Sequence, residues 1–339
     1  YKPSSLVGRE RGKNYAKLVK DKYKPLYDRT IMGVYPPGST FKPTQSLIFL
    51  QEGIIKPSTS YPCHGGFISG RLKVGCHPHS APIAMKPALA TSCNAYFCYG
   101  FKAMLDNRAK YERTDEAFTL WKDYMVSMGY GYKLGVDLPG EKRGFIPNSE
   151  YYDKYYRKGR WKALTIISVS IGQGEVLATP LQIANLSATI ANRGYYYTPH
   201  VVKQIQDSEI DSIYTQRHTT MVESKYYEDI VEGMRMAVTD GTCRIGEIEG
   251  AEVCGKTGTA QNPHGRDHSA FMGFAPKNNP KIAIAVYVEN AGFGATYAVP
   301  IGSLMMEKFL NDTIATDRKP LEERMANSNT IIYSGVKKH

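Results

Sequence analysis

The stretch Pro36-Pro37-Gly38-Ser39-Thr40-Phe41-Lys42 decides the fold. Helical spacing of apolar residues begins directly after the Pro-Pro-Gly turn, and Gly53 closes the pattern. The spacing therefore predicts a helix over residues 40–52, with Ser39 at its start. Lys42 follows three residues later on the same helix face, so that a neutral lysine amine can reach the serine hydroxyl.

The rest of the chain has the composition of a globular protein. Its 339 residues are 42% hydrophobic and 22% charged, which excludes disorder and allows a large core. No apolar run approaches the ~18–20 residues that a membrane-spanning helix needs. Because the sequence opens at Tyr1 rather than at methionine, we expect any targeting segment or anchor to lie upstream.

Basic residues outnumber acidic ones by 43 to 32, and the excess is concentrated at the start of the chain. Residues 1–30 carry nine basic and three acidic side chains. Such a concentration can bind nucleic acid, but no nucleic-acid-binding motif accompanies it. We therefore favour a solvated basic segment near an anionic surface, with no nucleic-acid partner.

Helices dominate the first two thirds of the chain, and strands dominate its end. Helical spacing recurs over 86–104, 116–128, 181–192 and 302–311. Short β-branched or alternating stretches, separated by turn clusters, cover 253–260, 269–275 and 281–289. The sequence thus predicts an all-helical part at about 40–245, antiparallel strands at about 250–290, and a poorly ordered polar tail over 316–339.

Two further motifs follow the S-x-x-K of Ser39 in a fixed order. They are Ser92-Cys93-Asn94, placed on a later predicted helix, and Lys256-Thr257-Gly258-Thr259, placed on a predicted strand. Each motif alone is weak, but their joint occurrence by chance is remote. Together they indicate a serine nucleophile that is activated by a lysine.

The chemistry sets requirements for these residues. To act as a base at neutral pH, Lys42 needs a pKa lowered from ~10.4 toward ~7–8, which burial and a second cation, Lys256, would achieve. Thr257 and Thr259 project to one face of a strand, where with Lys256 they can bind a substrate carboxylate. Gly258 lets a peptide backbone approach, so the donor is predicted to bind as an added β-strand.

The three motifs and four other stretches resemble the transpeptidase domain of class B penicillin-binding proteins, and the elongation-type penicillin-binding protein 2 is the nearest group. The other stretches are Asp137-Leu-Pro-Gly-Glu141, Ile171-Gly-Gln-Gly174, Thr179-Pro-Leu-Gln182 and Gly273-Phe-Ala-Pro276. The resemblance covers about residues 1–310. It implies one transpeptidase domain over 1–315 with an α+β fold (an α/β sandwich), in which helices flank an antiparallel sheet.

The resemblance also implies an activity. A D,D-transpeptidase would form an acyl-enzyme on Ser39 from a stem peptide ending in D-alanyl-D-alanine, cross-link peptidoglycan, and be acylated and inhibited by β-lactams. Ser92 would relay a proton to the leaving amine, and Asn94 would bond Lys42 and the substrate amide. The backbone N–H groups of Ser39 and Thr259 would form the oxyanion hole. No cofactor is expected for this chemistry.

Three features of the family are expected to lie upstream of this chain. They are the first hairpin of the sheet, so that part of the N-terminal sheet is missing here, the non-catalytic pedestal domain, and the membrane anchor. By the same resemblance we expect a site at the periplasmic face of the bacterial inner membrane. The expected partner is a polytopic glycosyltransferase of the elongation machinery.

Cysteines and histidines form a second constellation. Cys63, Cys76, His79 and Cys93 have the spacing of a structural zinc site, and the alternative is that they pack or lie in loops separately. His77 and His64 compete with His79 for the fourth ligand position, and we prefer His79. Some elongation-type penicillin-binding proteins resemble this chain in carrying zinc beside the active site, with carboxylates where this chain has cysteines.

Several other residues and functions are weighed as alternatives. Cys243 and Cys254 are either a disulfide or, preferably, two packed thiols, and Cys98 is expected in the core. We expect the remaining candidates to be loop or capping residues: His264, His268, Asp137, Glu141 and Glu175. The rival functions are a serine β-lactamase, for which the expected deacylating carboxylate motif is absent, and a non-enzymatic β-lactam sensor.

Overall fold

The computed structural model describes residues 1–330 and contains a helical region packed against a three-stranded sheet. The helices, in chain order, are α1 Arg11–Lys20, α2 Lys42–Gln51, α3 Met85–Ala90, α4 Asn94–Leu105, α5 Thr114–Ser127, α6 Ser149–Tyr156, α7 Pro180–Ala191, α8 Tyr227–Thr239, α9 Ala298–Asn311 and α10 Lys319–Ala326. The strands are β1 Ser60–Tyr61, β2 Gly66–Ser69, β3 Leu72–Gly75, β4 Ile83–Ala84, β5 Tyr195–Tyr197, β6 Arg217–Thr219, β7 Cys254–Ala260, β8 His268–Ala275 and β9 Ile282–Val288.

The sheet is the antiparallel meander that the sequence predicts. Its order is β7-β8-β9, with Thr257 opposite Phe271 and Phe271 opposite Val286. Side chains alternate between two hydrophobic clusters, because successive residues of a strand point to opposite faces. Met272 packs in the larger cluster with the helical region, whereas Phe271 packs in a smaller one with α9. The α+β fold with helices around the sheet is therefore confirmed.

Local sequence signals explain where two important helices begin. Thr179 and Gln182 form a capping box, and Pro180 occupies the first turn of α7. The helix predicted over 40–52 starts as a 3₁₀ turn, Gly38–Phe41, and continues as α2. The serine of the S-x-x-K motif thus lies in the tight turn before the α-helix rather than on its first regular turn.

The prediction of an all-helical part at about 40–245 is wrong. This part contains the hairpin β2–β3, in which Phe67 lies opposite Val74, and the pairs β1–β4 and β5–β6. These strands have two to four residues, too few to show a strand period in the sequence. The helix predicted over 86–104 is likewise split into α3 and α4, because Ser92 adopts a left-handed conformation with φ of 59°.

The prediction of a poorly ordered tail over 316–339 is wrong at its start, where α10 forms and packs against α9. The Arg318 guanidinium precedes this helix and lies 2.7 Å from the buried Glu307 carboxylate of α9. Residues 331–339 of the predicted tail lie outside the described residues. Within residues 1–330, none of the helices has both the length and the apolar character needed to cross a bilayer.

Candidate active site

Ser39 lies in the turn before α2 and faces a cleft of about 810 Å³. Gly38 makes this position possible, because its φ is +54° and a Cβ there would lie 2.7 Å from the Thr259 carbonyl oxygen. The Gly38 N–H donates to the Gly172 carbonyl at 2.9 Å, which ties the turn to the Ile171–Gly174 motif. Within residues 1–330, no group forms a hydrogen bond with Ser39 Oγ, so the hydroxyl is open to a ligand.

Lys42 is fully buried beside this turn. Its Nζ donates to the Ser92 carbonyl at 2.7 Å and to Asn94 Oδ1 at 2.6 Å, and lies 3.2 Å from Ser92 Oγ. The predicted direct contact with Ser39 is not formed in this structure, because these three partners hold the amine. Burial lowers the pKa of Lys42 to about 8, against the opposing effect of the Cys93 and Cys76 thiols.

Ser92 connects Lys42 to Lys256. Its Oγ accepts from Lys256 Nζ at 2.9 Å, and the same Nζ reaches the Thr257 carbonyl at 3.1 Å. Lys256 is also fully buried; burial and then the neighbouring Lys42 charge lower its pKa to about 7. The structure thus brings the predicted lysines and the Ser92 hydroxyl into one hydrogen-bonded group.

β7 presents a free edge to the cleft. The Thr259 carbonyl accepts from Gln173 Nε2 at 3.2 Å, and the Thr257 carbonyl accepts from Lys256, so both carbonyls point away from β8. In an antiparallel strand the N–H and C=O of one residue point to the same side. The N–H groups of Thr257 and Thr259 therefore also face the cleft, where an added strand or an oxyanion can accept from them.

The predicted metal ligands converge beside this group. One donor atom each of Cys63, Cys76, His79 and Cys93 lies within 4.8 Å of all the others. His79 Nδ1 lies 2.8 Å from the Ser80 carbonyl, which places the ring proton on Nδ1, and the buried Nε2 has no hydrogen-bond partner among residues 1–330. Of the competing histidines, His77 packs against Phe293 and His64 is exposed. The donor set fits the geometry that a tetrahedral ion requires.

Cys76 Sγ is the best placed thiolate of this cluster. It accepts from the N–H groups of Asn94 at 3.1 Å and Ala95 at 3.2 Å, in the first turn of α4. The Cys93 thiol and the Ala95 N–H lower the pKa of Cys76 to about 4, against the opposing effect of burial. The same contact and burial raise the pKa of Cys93, and burial raises that of Cys63.

Most of the residues weighed as loop or core residues have those roles. Glu141 accepts from backbone N–H groups of residues 134–136, Asp137 from those of Val201 and Val202, and Glu175 from the Tyr152 hydroxyl. Cys243 and Cys254 are buried free thiols, so they do not form the disulfide that was the alternative. Cys98 is also a buried free thiol, as predicted. His264 is exposed, as predicted.

The expectation for His268 is wrong. It begins β8 instead of lying in a solvated turn, and its Nδ1 accepts from the Asn290 N–H at 3.0 Å. Its ring packs against Tyr35 and Tyr287. Pairing of β8 with β7 extends one residue further than the hydropathy pattern indicates, and this draws the imidazole into an aromatic cluster.

Several residues that line the cleft have no predicted role, among them Gln173, Arg244, Asp267 and Phe293. A signal existed only for Gln173, which belongs to the Ile171–Gly174 motif. The others come from loops that are distant in sequence and meet only when the chain has folded. Arg244 and Asp267 are opposite charges at different parts of the cleft.

Comparisons with known proteins agree with this arrangement. The family described as "Penicillin binding protein transpeptidase domain" matches residues 5–307. A curated relative, the peptidoglycan D,D-transpeptidase MrdA of Acinetobacter baumannii, is 33% identical over 88% of this chain and 46% of its own length. MrdA of Escherichia coli is 28% identical over 91% of this chain and 50% of its own length. The chain thus spans about half the length of these relatives.

Solved structures give the same result at the level of the fold. PBP2 of Pseudomonas aeruginosa, in complex with WCK 5153, superposes with a TM-score of 0.77 at 29% identity over 94% of this chain and 68% of that one. PBP2 of Helicobacter pylori, in a complex with MreC, gives 0.72 at 26% identity over 92% and 57%. Since the family match covers residues 5–307, most of the chain and all of the site residues described above, this chain belongs to the penicillin-binding protein transpeptidase domain family.

Proposed function

We propose that this chain is the catalytic domain of a peptidoglycan D,D-transpeptidase of the elongation type. The observation that carries the proposal is the open Ser39 hydroxyl, placed in the same cleft as Ser92 and Asn94 and beside two fully buried lysines. Burial keeps a lysine amine available as a base near neutral pH. The relatives named MrdA support the same activity.

Acylation begins when Lys42 takes the Ser39 proton. Asn94 Oδ1 and the Ser92 carbonyl only accept hydrogen bonds, so they bind the two hydrogens of a neutral amine and leave its lone pair for a proton. Ser39 Oγ attacks the carbonyl carbon between the two D-alanines. The N–H groups of Ser39 and Thr259 stabilise the oxyanion, and such donors contribute ~3–4 kcal/mol each in comparable enzymes.

The proton then reaches the leaving group through Ser92. Its hydroxyl lies between Lys42 and Lys256 and can pass a proton to the amine of the departing D-alanine as the C–N bond breaks. The acyl-enzyme ester remains on Ser39. An amine of a neighbouring stem peptide attacks this ester, forms the cross-link amide, and returns the serine proton.

A β-lactamase activity finds less support in the cleft. Of the cleft-lining residues in the described part of the chain, Asp267 alone carries a carboxylate, and it accepts from the Asn262 N–H within its own turn. A hydrolase needs a general base that activates water against the acyl-enzyme. We therefore expect a long-lived acyl adduct.

The test is acylation by a fluorescent penicillin. Wild-type protein should be labelled and should carry the adduct for hours by mass spectrometry, while Ser39→Ala should show no label and an unchanged thermal transition. Labelling of Ser39→Ala at the wild-type rate would refute the assignment of the nucleophile. Rapid loss of the adduct from wild-type protein would favour the hydrolase.

We also propose that Cys63, Cys76, His79 and Cys93 hold a structural zinc ion. The buried, unpartnered Nε2 of His79 supports the proposal, since a buried nitrogen without a partner is costly unless it has a ligand. When bound, zinc would cross-link distant parts of the chain and would take no part in the acyl-transfer reaction. Cys93 caps α4 between Ser92 and Asn94, so the site orients both residues.

The partner and the location extend the proposal to the full-length protein. We propose a membrane-anchored protein at the periplasmic face of the inner membrane that works with a polytopic glycosyltransferase. One solved structure similar to this chain is that of a peptidoglycan synthase complex in which polymerization and crosslinking are coordinated. Co-purification of the full-length protein with a membrane glycosyltransferase tests this proposal, and a protein found wholly in the soluble fraction would refute it.

A further inference from the structure

We propose that Arg244 is a specificity-determining residue that binds a carboxylate of the acyl donor. The inference rests on the proposed transpeptidase function and adds a binding group to its site. Arg244 lies in the loop between α8 and β7 and lines the same cleft as Ser39 and Thr257.

The two residues before Arg244 are held by contacts with the neighbouring elements. Thr242 donates its N–H to the Ala90 carbonyl at 3.1 Å, and its hydroxyl lies 2.6 Å from that of Thr257. The following Cys243 is fully buried, and its N–H donates to the Ala237 carbonyl at 2.8 Å. These contacts fix the backbone of Arg244 beside the Thr257 end of the β7 edge.

The guanidinium of Arg244 is exposed and available. Among the described residues, none forms a side-chain hydrogen bond or an ion pair with it. Lys256, predicted as the cation for the substrate carboxylate, is instead fully buried, and its Nζ is bound to Ser92 Oγ and to the Thr257 carbonyl. A carboxylate beside Thr257 therefore meets Arg244 as the accessible cation.

The charges of the cleft also give the donor a direction. Asp267 precedes His268, which pairs with Ala260 at the far end of β7, several residues from Thr257. A donor strand along this edge thus has an acidic group at one end and Arg244 at the other. A carboxylate is repelled by Asp267 and attracted by Arg244, so the donor is oriented with its carboxylate at the Thr257 end.

A planar guanidinium binds a carboxylate through two parallel hydrogen bonds, a geometry that a lysine cannot reproduce. Two sources of this chemistry exist in a stem peptide. One is the C-terminal carboxylate of the donor, and the other is a carboxylate on the side chain of a residue further upstream. The direction derived from the charges favours the C-terminal group.

The experiment measures donor binding and donor turnover separately. Binding is measured by calorimetry in Ser39→Ala protein, with and without Arg244→Gln, for three synthetic pentapeptides. One is the parent with a diaminopimelate side chain, one has a C-terminal amide, and one has lysine in place of diaminopimelate. Turnover of the same peptides is followed by D-alanine release in otherwise wild-type protein. Arg244→Lys and Arg71→Gln, an exposed hairpin arginine outside the cleft, are the controls.

We expect Arg244→Gln to weaken binding of the parent peptide about tenfold to a hundredfold. Arg71→Gln should leave this affinity unchanged, and Arg244→Lys should retain only part of it. The peptide with a C-terminal amide should bind equally well to the proteins with and without Arg244→Gln. If only the lysine peptide binds equally well to the two proteins, Arg244 binds the side-chain carboxylate instead. An equal loss for all three peptides, or no loss, would overturn the proposal. Failure of the transpeptidase function would appear separately, as absent D-alanine release by wild-type protein while binding persists.

Discussion

The hydroxyl of Ser92 lies between the two buried lysine side chains of the site. Its oxygen lies 3.2 Å from Lys42 Nζ and 2.9 Å from Lys256 Nζ. Burial lowers the pKa values of both lysines, and the neighbouring Lys42 charge lowers that of Lys256 further. Near neutral pH the pair therefore holds fewer protons than two exposed lysines would.

The pH dependence of acylation follows from this pair. A base must be neutral, so the rate should fall about tenfold per pH unit well below the lowered pKa of Lys42 and level off above about pH 8. An exposed lysine would place this rise above about pH 10. Stopped-flow acylation by penicillin from about pH 6 to about pH 9 measures the profile. A flat profile over this range would contradict the role of Lys42.

Gly38→Ala tests the contact between the nucleophile turn and β7. The new Cβ would lie 2.7 Å from the Thr259 carbonyl oxygen and would force the turn away from the strand. We expect acylation to slow at least about tenfold and the free energy of unfolding to fall by ~1–3 kcal/mol. Gly53→Ala is the control, because Gly53 has a φ of +68° but no atom near its Cβ position. Equal acylation rates for the two variants would refute the contact.

At the scale of elements, the β2–β3 hairpin and α4 are joined through the cysteine cluster. Zinc content measured by plasma emission should be one ion per chain, and it should be lost in His79→Ala but kept in His77→Ala. The two histidines are two residues apart, but only His79 directs a ring nitrogen into the cluster. Zinc retention in His79→Ala would show that another residue is the ligand.

Removal of the metal should also lower the stability of the protein. Structural zinc contributes of order 10 kcal/mol in small domains, and a smaller effect is expected here because a large core surrounds the hairpin. Thermal unfolding with and without a chelator, in wild-type and His79→Ala protein, is the measurement. A transition that the chelator lowers equally in both proteins would contradict a role of the cluster.

The sequence predicts the elements and residues whose signals are local. The S-x-x-K, S-x-N and K-T-G spacings bring Ser39, Ser92 and Lys256 to one site, and period-2 patterns predict the meander. The break at Ser92 has no such signal, since neither proline nor glycine marks it. The α10 helix is polar, and the ion pair between Arg318, directly before it, and Glu307 is a tertiary contact that no local pattern contains.

At the scale of the whole molecule, Phe271 holds α9 against the sheet. A Cβ at any of three surrounding glycines, Gly255, Gly273 or Gly302, would lie 2.6 to 2.7 Å from its ring. Phe271→Ala would therefore open a cavity between layers and should lower the free energy of unfolding by ~3–5 kcal/mol. Phe293→Ala, in which the lost ring is 59% exposed, should cost far less. Denaturant titration compares them, and equal losses would contradict this account.

The position of Cys93 between Ser92 and Asn94 has a consequence for how such a chain can change. Three consecutive side chains serve two different neighbourhoods, with the outer two at the lysines and the middle one among the sulfur atoms. One inserted or deleted residue would shift which side chains face the lysines and which face the sulfur atoms, and would disrupt both groups at once. A substitution at position 93 can change the type of ligand there, whereas a change in the length of this segment would alter the active site as well.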